Sequence, residues 1–430
     1  MKPDDAQLLE LSGQRAAGIA RTGRLRDANV PAAVLSLEGR LMRLLLGSLG
    51  NPPLRLTLWN GESVFTGEGD AVACIRIADR SALLRLFINP ELHFGEAYCD
   101  GSIEVDGDLV KLLEVIYQGL DLASFRGRLP RLVKSLDRPR ANSPSAARDN
   151  IHHHYDLGNE FYRLWLDREM LYTCAYFPTP EAPLDQAQVA KMDHVCRKLR
   201  LRPGDTVVEA GCGWGSLALH MATQYGARVQ AFNISREQIA YARARACAMG
   251  ADRFVEFIED DYRNIGGRYD AFVSVGMLEH VGRDYHDELG RVINRCLARD
   301  GRGMLHSIGQ DQPASLNAWI EKRIFPGAYP PTLREMLAII EPHKLSVLDV
   351  ENLRLHYALT LEHWLRRFEA AREQVTGMYD AGFVRSWRLY LAGSLAAFNT
   401  GKLQLFQVLF GRAASNDVAW TRAHLYGQRR

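Results

Sequence analysis

Long apolar runs are missing from this chain. No stretch of about 18 consecutive apolar residues occurs in it. The segment from Met1 to Val30 also lacks the apolar centre of a secretory signal peptide. We therefore expect no membrane-spanning helix, a cytoplasmic location, and only peripheral contact if the protein meets a membrane.

Paired cysteines and an excess of one charge are missing as well. The 7 cysteines show no C-x-x-C spacing, which argues against both a zinc site and a disulfide framework. Three consecutive histidines, His152 to His154, diverge on a strand or a helix, so we expect no metal there. The 53 Lys and Arg residues nearly balance 51 Asp and Glu residues, and this balance does not favour nucleic acid as a partner.

The length of 430 residues allows two domains. We predict a small α+β domain over residues 1–137, with strands at 54–58, 63–66 and 72–77, a hairpin turn at Asn60-Gly61 and a turn at 94–101. Residues 138–150 have the composition of a linker, which leaves 151–430 as the second domain. Basic residues between Phe125 and Arg148 are set among apolar ones and fit either a solvated helix face, the commoner case, or a helix lying on anionic lipid.

The stretch 205–235 predicts the opening unit of a doubly wound α/β sheet: a strand, a glycine-rich turn, a helix and a second strand that ends at Asn233. The turn has the spacing G-x-G-x-G, without the G-x-G-x-x-G fingerprint or the later acidic residue of NAD enzymes. The Lys-Ser/Thr pair of a phosphate-binding loop is absent too. Such a turn could serve only a tight strand–helix connection, but its spacing resembles the S-adenosylmethionine turn of class I methyltransferases.

Further strand patterns at 228–234, 254–259, 271–275 and 303–307 continue the sheet. Because parallel strands end at one edge, we expect the polar residues that follow them to converge there, including Asn233, Glu279 and His306. Taken singly, Glu279 could be a helix-start carboxylate and His306 a core histidine, but their convergence favours a functional site. The Trp-, Phe- and Leu-rich segment 361–409 predicts a helical cap.

Several segments resemble, in the same order, the cyclopropane-fatty-acid-phospholipid synthases and the related mycolic acid cyclopropane synthases. The resemblance runs from about Phe94 to the C-terminus. The matching segments are His154–Asn159, Leu171–Phe177, Glu209–Gly215, Ser274–Gly282, Leu305–Gly309, Phe325–Gly327 and His356 to Trp364. The resemblance implies a class I methyltransferase fold, which is a Rossmann-like doubly wound sheet with a helical cap, preceded here by the small α+β domain.

The resemblance also implies an activity. The cofactor would be S-adenosylmethionine, and the substrate a cis double bond in an acyl chain of an unsaturated membrane phospholipid. Methyl transfer to the alkene would give a carbocation, and proton loss to a bound bicarbonate would close a cyclopropane ring. The bicarbonate pattern of the family maps onto Cys174, Glu279, His306, Ile308 and Tyr357.

The cofactor pattern of the family maps onto three short stretches and two single positions. These are Tyr172, Thr173, Gly211, Cys212, Gly213, Trp214, Gly215, Asn233, Gln238, Asp261 and Tyr262. Asn233 departs from the pattern, because threonine is common at that position. Trp214 could instead pack under the turn, and Glu209 could bond backbone amides.

The resemblance assigns roles to these groups. His306, the backbone of Ile308 and Tyr357 would donate hydrogen bonds to the bicarbonate, and Glu279 would accept its proton. Cys174 would be a ligand, since the reaction needs no covalent intermediate. The N-terminal domain would dock the protein on the inner face of the membrane and form a homodimer.

Three alternatives stay open at this point. A relative that stops after methyl transfer would give methyl-branched or methylene chains. A different methylated substrate, either a small molecule or a protein, is a second possibility. A catalytically silent lipid-binding protein is the third.

Overall fold

The computed structural model describes residues 35–125 and 157–426. The predicted linker 138–150, the arginine-rich segment after Phe125 and the three histidines His152 to His154 lie outside the described residues. Among the described helices, none is both long and apolar enough to cross a bilayer.

Residues 35–125 form a four-stranded sheet with helices packed against it. Its elements are α1 (Leu37–Ser48), β1 (Leu54–Leu58), β2 (Ser63–Phe65), β3 (Ala73–Ile77), α2 (Arg80–Ile88), α3 (Pro90–Asp100), β4 (Ile103–Gly107) and α4 (Leu109–Phe125). The strand order is β2-β1-β3-β4, with β1 and β3 parallel and the other pairs antiparallel. The three predicted strands and the hairpin are confirmed.

The turn predicted at 94–101 is wrong, because these residues continue helix α3. Asn89 caps the helix by accepting a hydrogen bond from the Leu92 N–H at 3.1 Å, and Pro90 occupies the first turn, where it needs no hydrogen bond. The turn is confined to Gly101, which ends the helix at φ 84°.

The second part of the chain contains a seven-stranded sheet. Its strands are β5 (Thr206–Ala210), β6 (Arg228–Asn233), β7 (Val255–Glu259), β8 (Tyr269–Val275), β9 (Leu297–Gly309), β10 (Leu345–Asn352) and β11 (Gln404–Arg412). The order is β10-β11-β9-β8-β5-β6-β7, and β11 is antiparallel to both of its neighbours. The predicted strands are confirmed, and they bring the carboxyl ends of β5, β6, β7, β8 and β9 to one edge.

Helices cover both faces of this sheet. They are α5 (Asn159–Arg163), α6 (Leu184–Lys198), α7 (Ser216–Tyr225), α8 (Arg236–Ala248), α9 (His286–Cys296), α10 (Ala318–Arg323), α11 (Leu333–Ile340), α12 (Arg354–Ala370), α13 (Arg372–Met378), α14 (Ala381–Thr400) and α15 (Ala423–Tyr426). Short 3₁₀ turns occur at Tyr262–Asn264, Leu278–His280, Arg283–Tyr285 and Glu341–His343.

The helical segment predicted at 361–409 is only partly correct. Helices α12 to α14 are present, but Gln404 to Leu409 belong to β11, a strand inside the sheet between β9 and β10. Positions 404–411 are all buried, so the strand is apolar on both faces and lacks the alternation that would have revealed it.

The N-terminal part packs directly against helices α10 and α14. A Cβ atom on Gly95 would lie 2.3 Å from the Trp319 ring, so only glycine allows α3 to approach α10 this closely. Arg323 of α10 donates two hydrogen bonds to Glu96, at 2.8 and 2.6 Å. One cluster of buried apolar residues therefore extends from the small sheet into the helices that surround the site.

Candidate active site

A cavity lies at the carboxyl ends of β5, β6 and β8. Of the predicted cofactor residues, all but Gly215 line it: Tyr172, Thr173, Gly211, Cys212, Gly213, Trp214, Asn233, Gln238, Asp261 and Tyr262. The complete wall of the cavity comes from six separated stretches of the chain, within 170–173, 191, 209–217, 232–238, 260–263 and 275–281. They meet at one place, as the shared strand edge predicts.

The glycines of the turn have different surroundings. Gly211, Gly213 and Gly215 all have positive φ, at 85°, 53° and 85°. A Cβ on Gly213 would meet nothing within 4 Å, so a ligand can approach the backbone there. A Cβ on Gly215 would lie 2.6 Å from Phe257, which places Gly215 behind the turn and not on the cavity wall.

The end of β6 carries amides where NAD enzymes have a carboxylate. Asn233 Nδ2 donates to Gln238 Oε1 at 2.8 Å and to the Gly213 carbonyl at 3.3 Å, and Asn233 Oδ1 accepts from the Ser235 N–H at 3.1 Å. The asparagine that departs from the family pattern is therefore held rigidly between the turn and α8. Nearby, Trp214 Nε1 donates to Asn159 Oδ1 at 2.6 Å, so this side chain packs under the turn as well as lining the cavity.

Glu279 and Ile308 are in direct contact. Glu279 Oε1 accepts a hydrogen bond from the Ile308 N–H at 2.6 Å, and the Glu279 carbonyl accepts one from the Tyr329 N–H at 2.8 Å. The second carboxylate oxygen, Oε2, is buried without a hydrogen-bond partner in the described structure. Burial raises the pKa of Glu279 to about 7.

His306 lies on β9, two residues before Ile308, and is held by Gln407 of β11. The Gln407 amide nitrogen lies 2.9 Å from His306 Nδ1, and both side chains are buried. In this orientation Nδ1 accepts a hydrogen bond, so the ring proton sits on Nε2, which is buried and has no partner among the described residues. Burial lowers the pKa of His306 far below its usual value, so the ring is neutral.

Cys174 and Tyr357 meet through the backbone of Leu353. The Leu353 carbonyl accepts from the Tyr357 N–H at 3.1 Å and lies 4.0 Å from Cys174 Sγ. The Leu353 N–H donates at 2.8 Å to Leu405, which is paired with Ile308 across β11 and β9. This series of contacts connects the cysteine and tyrosine to the Glu279–Ile308 pair. Burial raises the pKa of the Cys174 thiol, and a neutral thiol is a poor nucleophile.

Aromatic rings pack around Tyr357 and Tyr172. The Tyr357 ring packs at 4.6 Å from Phe398 and 5.9 Å from Trp364, measured between ring centres. The hydroxyls of Tyr172 and Tyr390 lie 2.6 Å apart, and Tyr172 also packs against Trp364 at 5.3 Å. These rings form aromatic walls beside Tyr357 and Tyr172.

The five residues assigned to bicarbonate by the resemblance make up a second cluster: Cys174, Glu279, His306, Ile308 and Tyr357. This second cluster shares two segments of chain with the cavity. Thr173 lines the cavity and Cys174 follows it directly, while Gly276 and Met277 line the cavity just before Glu279. None of the five residues of the second cluster lines the cavity itself. Sequence reasoning missed Lys191 on the cavity wall and Gln407 behind His306, because neither belongs to a recognisable motif.

Two known families match the sequence. A domain of unknown function, DUF7884, matches residues 41–125, and the mycolic acid cyclopropane synthetase family matches residues 142–408, more than half of the chain. The chain belongs to the mycolic acid cyclopropane synthetase family. The predicted resemblance is thereby confirmed.

Two bacterial proteins are similar to this chain over most of its length. A probable fatty acid methyltransferase of Pseudomonas putida is 36% identical over 389 residues, or 87% of this chain and 96% of that protein. The cyclopropane-fatty-acyl-phospholipid synthase of Escherichia coli K12 is 35% identical over 362 residues, or 83% of this chain and 92% of that protein.

The solved structure of the mycolic acid cyclopropane synthase CmaA1, complexed with SAH and CTAB, is also similar. It is 28% identical, with a TM-score of 0.59 over 62% of this chain and 98% of that chain. The predicted class I methyltransferase fold, the cyclopropane synthase enzyme class and S-adenosylmethionine as cofactor are thus confirmed. The silent lipid-binding alternative is not supported.

A substitution at Gln407 tests whether this residue fixes the tautomer of His306. Gln407→Leu removes the hydrogen bond to Nδ1 and frees the ring to place its proton on either nitrogen. We expect kcat to fall by roughly ten- to a hundredfold, somewhat less than the loss that follows removal of a whole hydrogen-bond donor from an active site, with unchanged affinity for S-adenosylhomocysteine. His306 with ¹⁵N-labelled ring nitrogens should show a single tautomer by NMR in the parent protein and a mixture in the variant. A single unchanged tautomer would contradict this role.

Proposed function

We propose that this enzyme transfers a methylene unit from S-adenosylmethionine to a cis double bond in an acyl chain of an unsaturated phospholipid and that the product carries a cyclopropane ring. The family and the relatives support cyclopropane or methyl transfer to lipid acyl chains. The proposal adds three points to this: the acyl chain belongs to a phospholipid, the product carries a ring, and bicarbonate is the base.

The observation that carries the proposal is the pair of buried polar atoms without partners, Glu279 Oε2 and His306 Nε2. One is a carboxylate oxygen that accepts and the other an N–H that donates. A bicarbonate ion fits both, because it has one O–H group and further oxygens that accept hydrogen bonds. Cys174 and Tyr357 would complete its surroundings.

Each residue then has a physical role. Ionised Glu279 would accept the hydrogen bond of the anion, and His306 would donate one to it. In the structure the Ile308 N–H donates to Glu279, so we assign Ile308 to holding that carboxylate and not to direct contact with the anion. When bound, S-adenosylmethionine would supply the methyl group and bicarbonate the base. The aromatic walls would exclude water that could trap the carbocation.

The rate should depend on pH through Glu279. Its pKa of about 7 means that the accepting, ionised form predominates only above that pH. At a fixed bicarbonate concentration we therefore expect kcat to rise as pH increases through about 7 and to level off above it. His306 adds no titration in this range, since its pKa lies far below the usual value. A kcat that stayed constant from pH 6 to pH 8 would contradict the assignment.

A second candidate function is methyl transfer without ring closure. It is favoured by the Pseudomonas relative, a probable fatty acid methyltransferase that is as similar as the Escherichia coli synthase. Mass spectrometry of lipids from a host that expresses the chain separates the two. Ring formation adds one CH2 and removes the olefin, a methylene product adds one CH2 and keeps an olefin, and a saturated methyl branch adds two further hydrogens.

We also propose that residues 1–137 dock on the membrane, joined by the linker 138–150 to the catalytic residues 151–430. Support comes from apolar side chains left in solvent on this part: Leu37 is 70%, Leu44 65% and Ile88 77% exposed. Leu37 and Leu44 are seven residues apart and so share one face of α1. Peripheral association with the inner face and homodimer formation stay predictions.

Vesicle binding tests the docking surface. We expect the double variant Leu44→Glu/Ile88→Glu to sediment with anionic phospholipid vesicles at least about tenfold less than the parent chain, since each change replaces an exposed apolar side chain, which would enter the bilayer surface, with a negative charge. Leu355→Glu is the matched control, because Leu355 is 63% exposed on α12, outside the N-terminal part. Equal binding of all three proteins would locate the docking surface elsewhere.

A further inference from the structure

The segment 171–177 has no secondary structure of its own. It belongs to no helix or strand, so its backbone N–H groups need hydrogen-bond partners elsewhere in the fold. Two of these partners are side chains of helix α12. The Ala175 N–H donates to Thr360 Oγ1 at 3.0 Å, and the Phe177 N–H donates to His356 Nδ1 at 2.9 Å. The catalytic roles proposed above use neither of these two side chains.

Thr360 is fully buried, and its hydroxyl both donates and accepts. The Oγ1 atom donates its single proton to the His356 carbonyl at 2.7 Å, within the same helix. Toward the Ala175 N–H it therefore acts as an acceptor. A buried N–H that lost this acceptor would be left unpaired, which is costly. The hydroxyl thus fixes the backbone directly after Cys174.

The ring of His356 is held in one orientation. It stacks on Tyr176, with the ring centres 4.9 Å apart and 9° between the ring planes, and Tyr176 stacks in turn on His194 of α6 at 4.2 Å. His194 Nε2 lies 2.7 Å from Glu351 Oε2 of β10. Burial lowers the pKa of His356, so the ring is neutral at pH 7 and its Nδ1 atom accepts from the Phe177 N–H.

These two hydrogen bonds connect the segment that carries Cys174 to the helix that carries Tyr357. Ala175 and Thr360 are 185 positions apart in the sequence, so their alignment depends on tertiary contacts alone. Tyr357 directly follows His356 on α12. We propose, on the basis of the function proposed above, that the two α12 side chains are positioning residues: they hold Cys174 in the place relative to Tyr357 that the bicarbonate site requires.

Turnover of labelled S-adenosylmethionine on unsaturated phospholipid vesicles, measured against bicarbonate concentration, tests the role of Thr360. Thr360→Val keeps the shape of the side chain and removes the hydroxyl. We expect the bicarbonate concentration that gives the half-maximal rate to rise about tenfold, the usual scale for an unpaired buried donor. Thr360→Ser keeps the hydroxyl and should stay within about twofold of the parent chain. Both variants should bind S-adenosylhomocysteine within about twofold of the parent affinity, which also shows that they are folded.

Two substitutions of His356 separate its hydrogen bond from its stacking. His356→Asn keeps an acceptor, because the side-chain oxygen can replace Nδ1, but loses the ring. His356→Phe keeps a ring on Tyr176 and loses the acceptor. We expect the half-saturating bicarbonate concentration to stay within about threefold for His356→Asn and to rise about tenfold for His356→Phe.

Thr400→Val is the matched control for the loss of a helical threonine hydroxyl. Thr400 Oγ1 donates to the carbonyl four residues earlier, at 2.8 Å, as Thr360 does, but it lies at the end of α14. The bicarbonate dependence of this variant should equal that of the parent chain.

Contrary results would overturn the proposal in distinguishable ways. If Thr360→Val and His356→Phe kept the half-saturating bicarbonate concentration of the parent chain, the two side chains would not position the site. If they weakened S-adenosylhomocysteine and bicarbonate equally, their role would be only structural. If His356→Asn were impaired and His356→Phe were not, stacking would act in place of the hydrogen bond. A parent rate that did not depend on bicarbonate would instead refute the proposed base, and with it the need to position it.

Discussion

Glu279→Gln should reduce turnover of labelled S-adenosylmethionine on unsaturated phospholipid vesicles by about a thousandfold, within the range lost when an acid–base group is removed. The glutamine side-chain oxygen can still accept from the Ile308 N–H, so the local fold is kept. The amide nitrogen would replace Oε2, the buried acceptor, with a donor that cannot accept the proton of the bound anion. The loss should appear in kcat at all pH values from 6 to 8.

Binding measurements separate this loss from damage to the cofactor site. S-adenosylhomocysteine should bind Glu279→Gln within about twofold of the parent affinity, because Glu279 does not line the cofactor cavity. Glu362→Gln is a suitable control, since this exposed carboxylate lies on α12, the helix that carries Tyr357. Undiminished turnover by Glu279→Gln would refute the proposed base site.

Gly215→Ala should be the most destabilising single methyl addition in the glycine turn. The residue has φ 85°, and the new Cβ would lie 2.6 Å from Phe257 and 2.8 Å from Ala242. Left-handed strain and overpacking together should lower the free energy of unfolding by about 3 kcal/mol. Thermal unfolding followed by circular dichroism measures the change, and an unchanged midpoint would contradict the close packing behind the turn.

Gly213→Ala is the matched comparison, two residues away. Here φ is 53° and the Cβ meets nothing within 4 Å, so we expect a loss of only about 1 kcal/mol from left-handed strain. The methyl group should instead obstruct the ligand and weaken S-adenosylhomocysteine binding by at least about tenfold. A Gly213→Ala protein that bound S-adenosylhomocysteine normally would show that the cofactor does not approach this part of the turn.

The strands and the glycine turn of the catalytic part could be predicted because local rules determine them. Alternation, glycine spacing and the common edge of parallel strands were enough to predict the strands and to place the glycine turn and Asn233 on one cavity. The turn at 94–101 could not be predicted correctly, since the helix there depends on its Asn89 cap and on packing of Gly95 against Trp319.

Residues that act through tertiary contacts were beyond sequence reasoning. Gln407 is one glutamine within an apolar run, and only its place opposite His306 gives it a role. In the sequence Lys191 looks like any helical lysine, and only the fold places it on the cavity wall. Lys198 of the same helix pairs instead with Asp349 and Glu351. Sequence motifs identified candidate site residues such as His306. Only the folded sheet shows the side chains that orient them, such as Gln407.

The position of β11 has a consequence for biosynthesis. This strand spans Gln404 to Arg412 of a 430-residue chain, yet it lies between β9 and β10 in the middle of the sheet. Until these residues have been added, β9 can pair only with β8, β10 has no partner strand, and neither Gln407 nor Leu405 is available to the site. A nascent polypeptide would therefore reach its active form only after residues 404–412 have been synthesised, and a premature stop codon before residue 404 would yield a product with an unpaired, aggregation-prone strand edge.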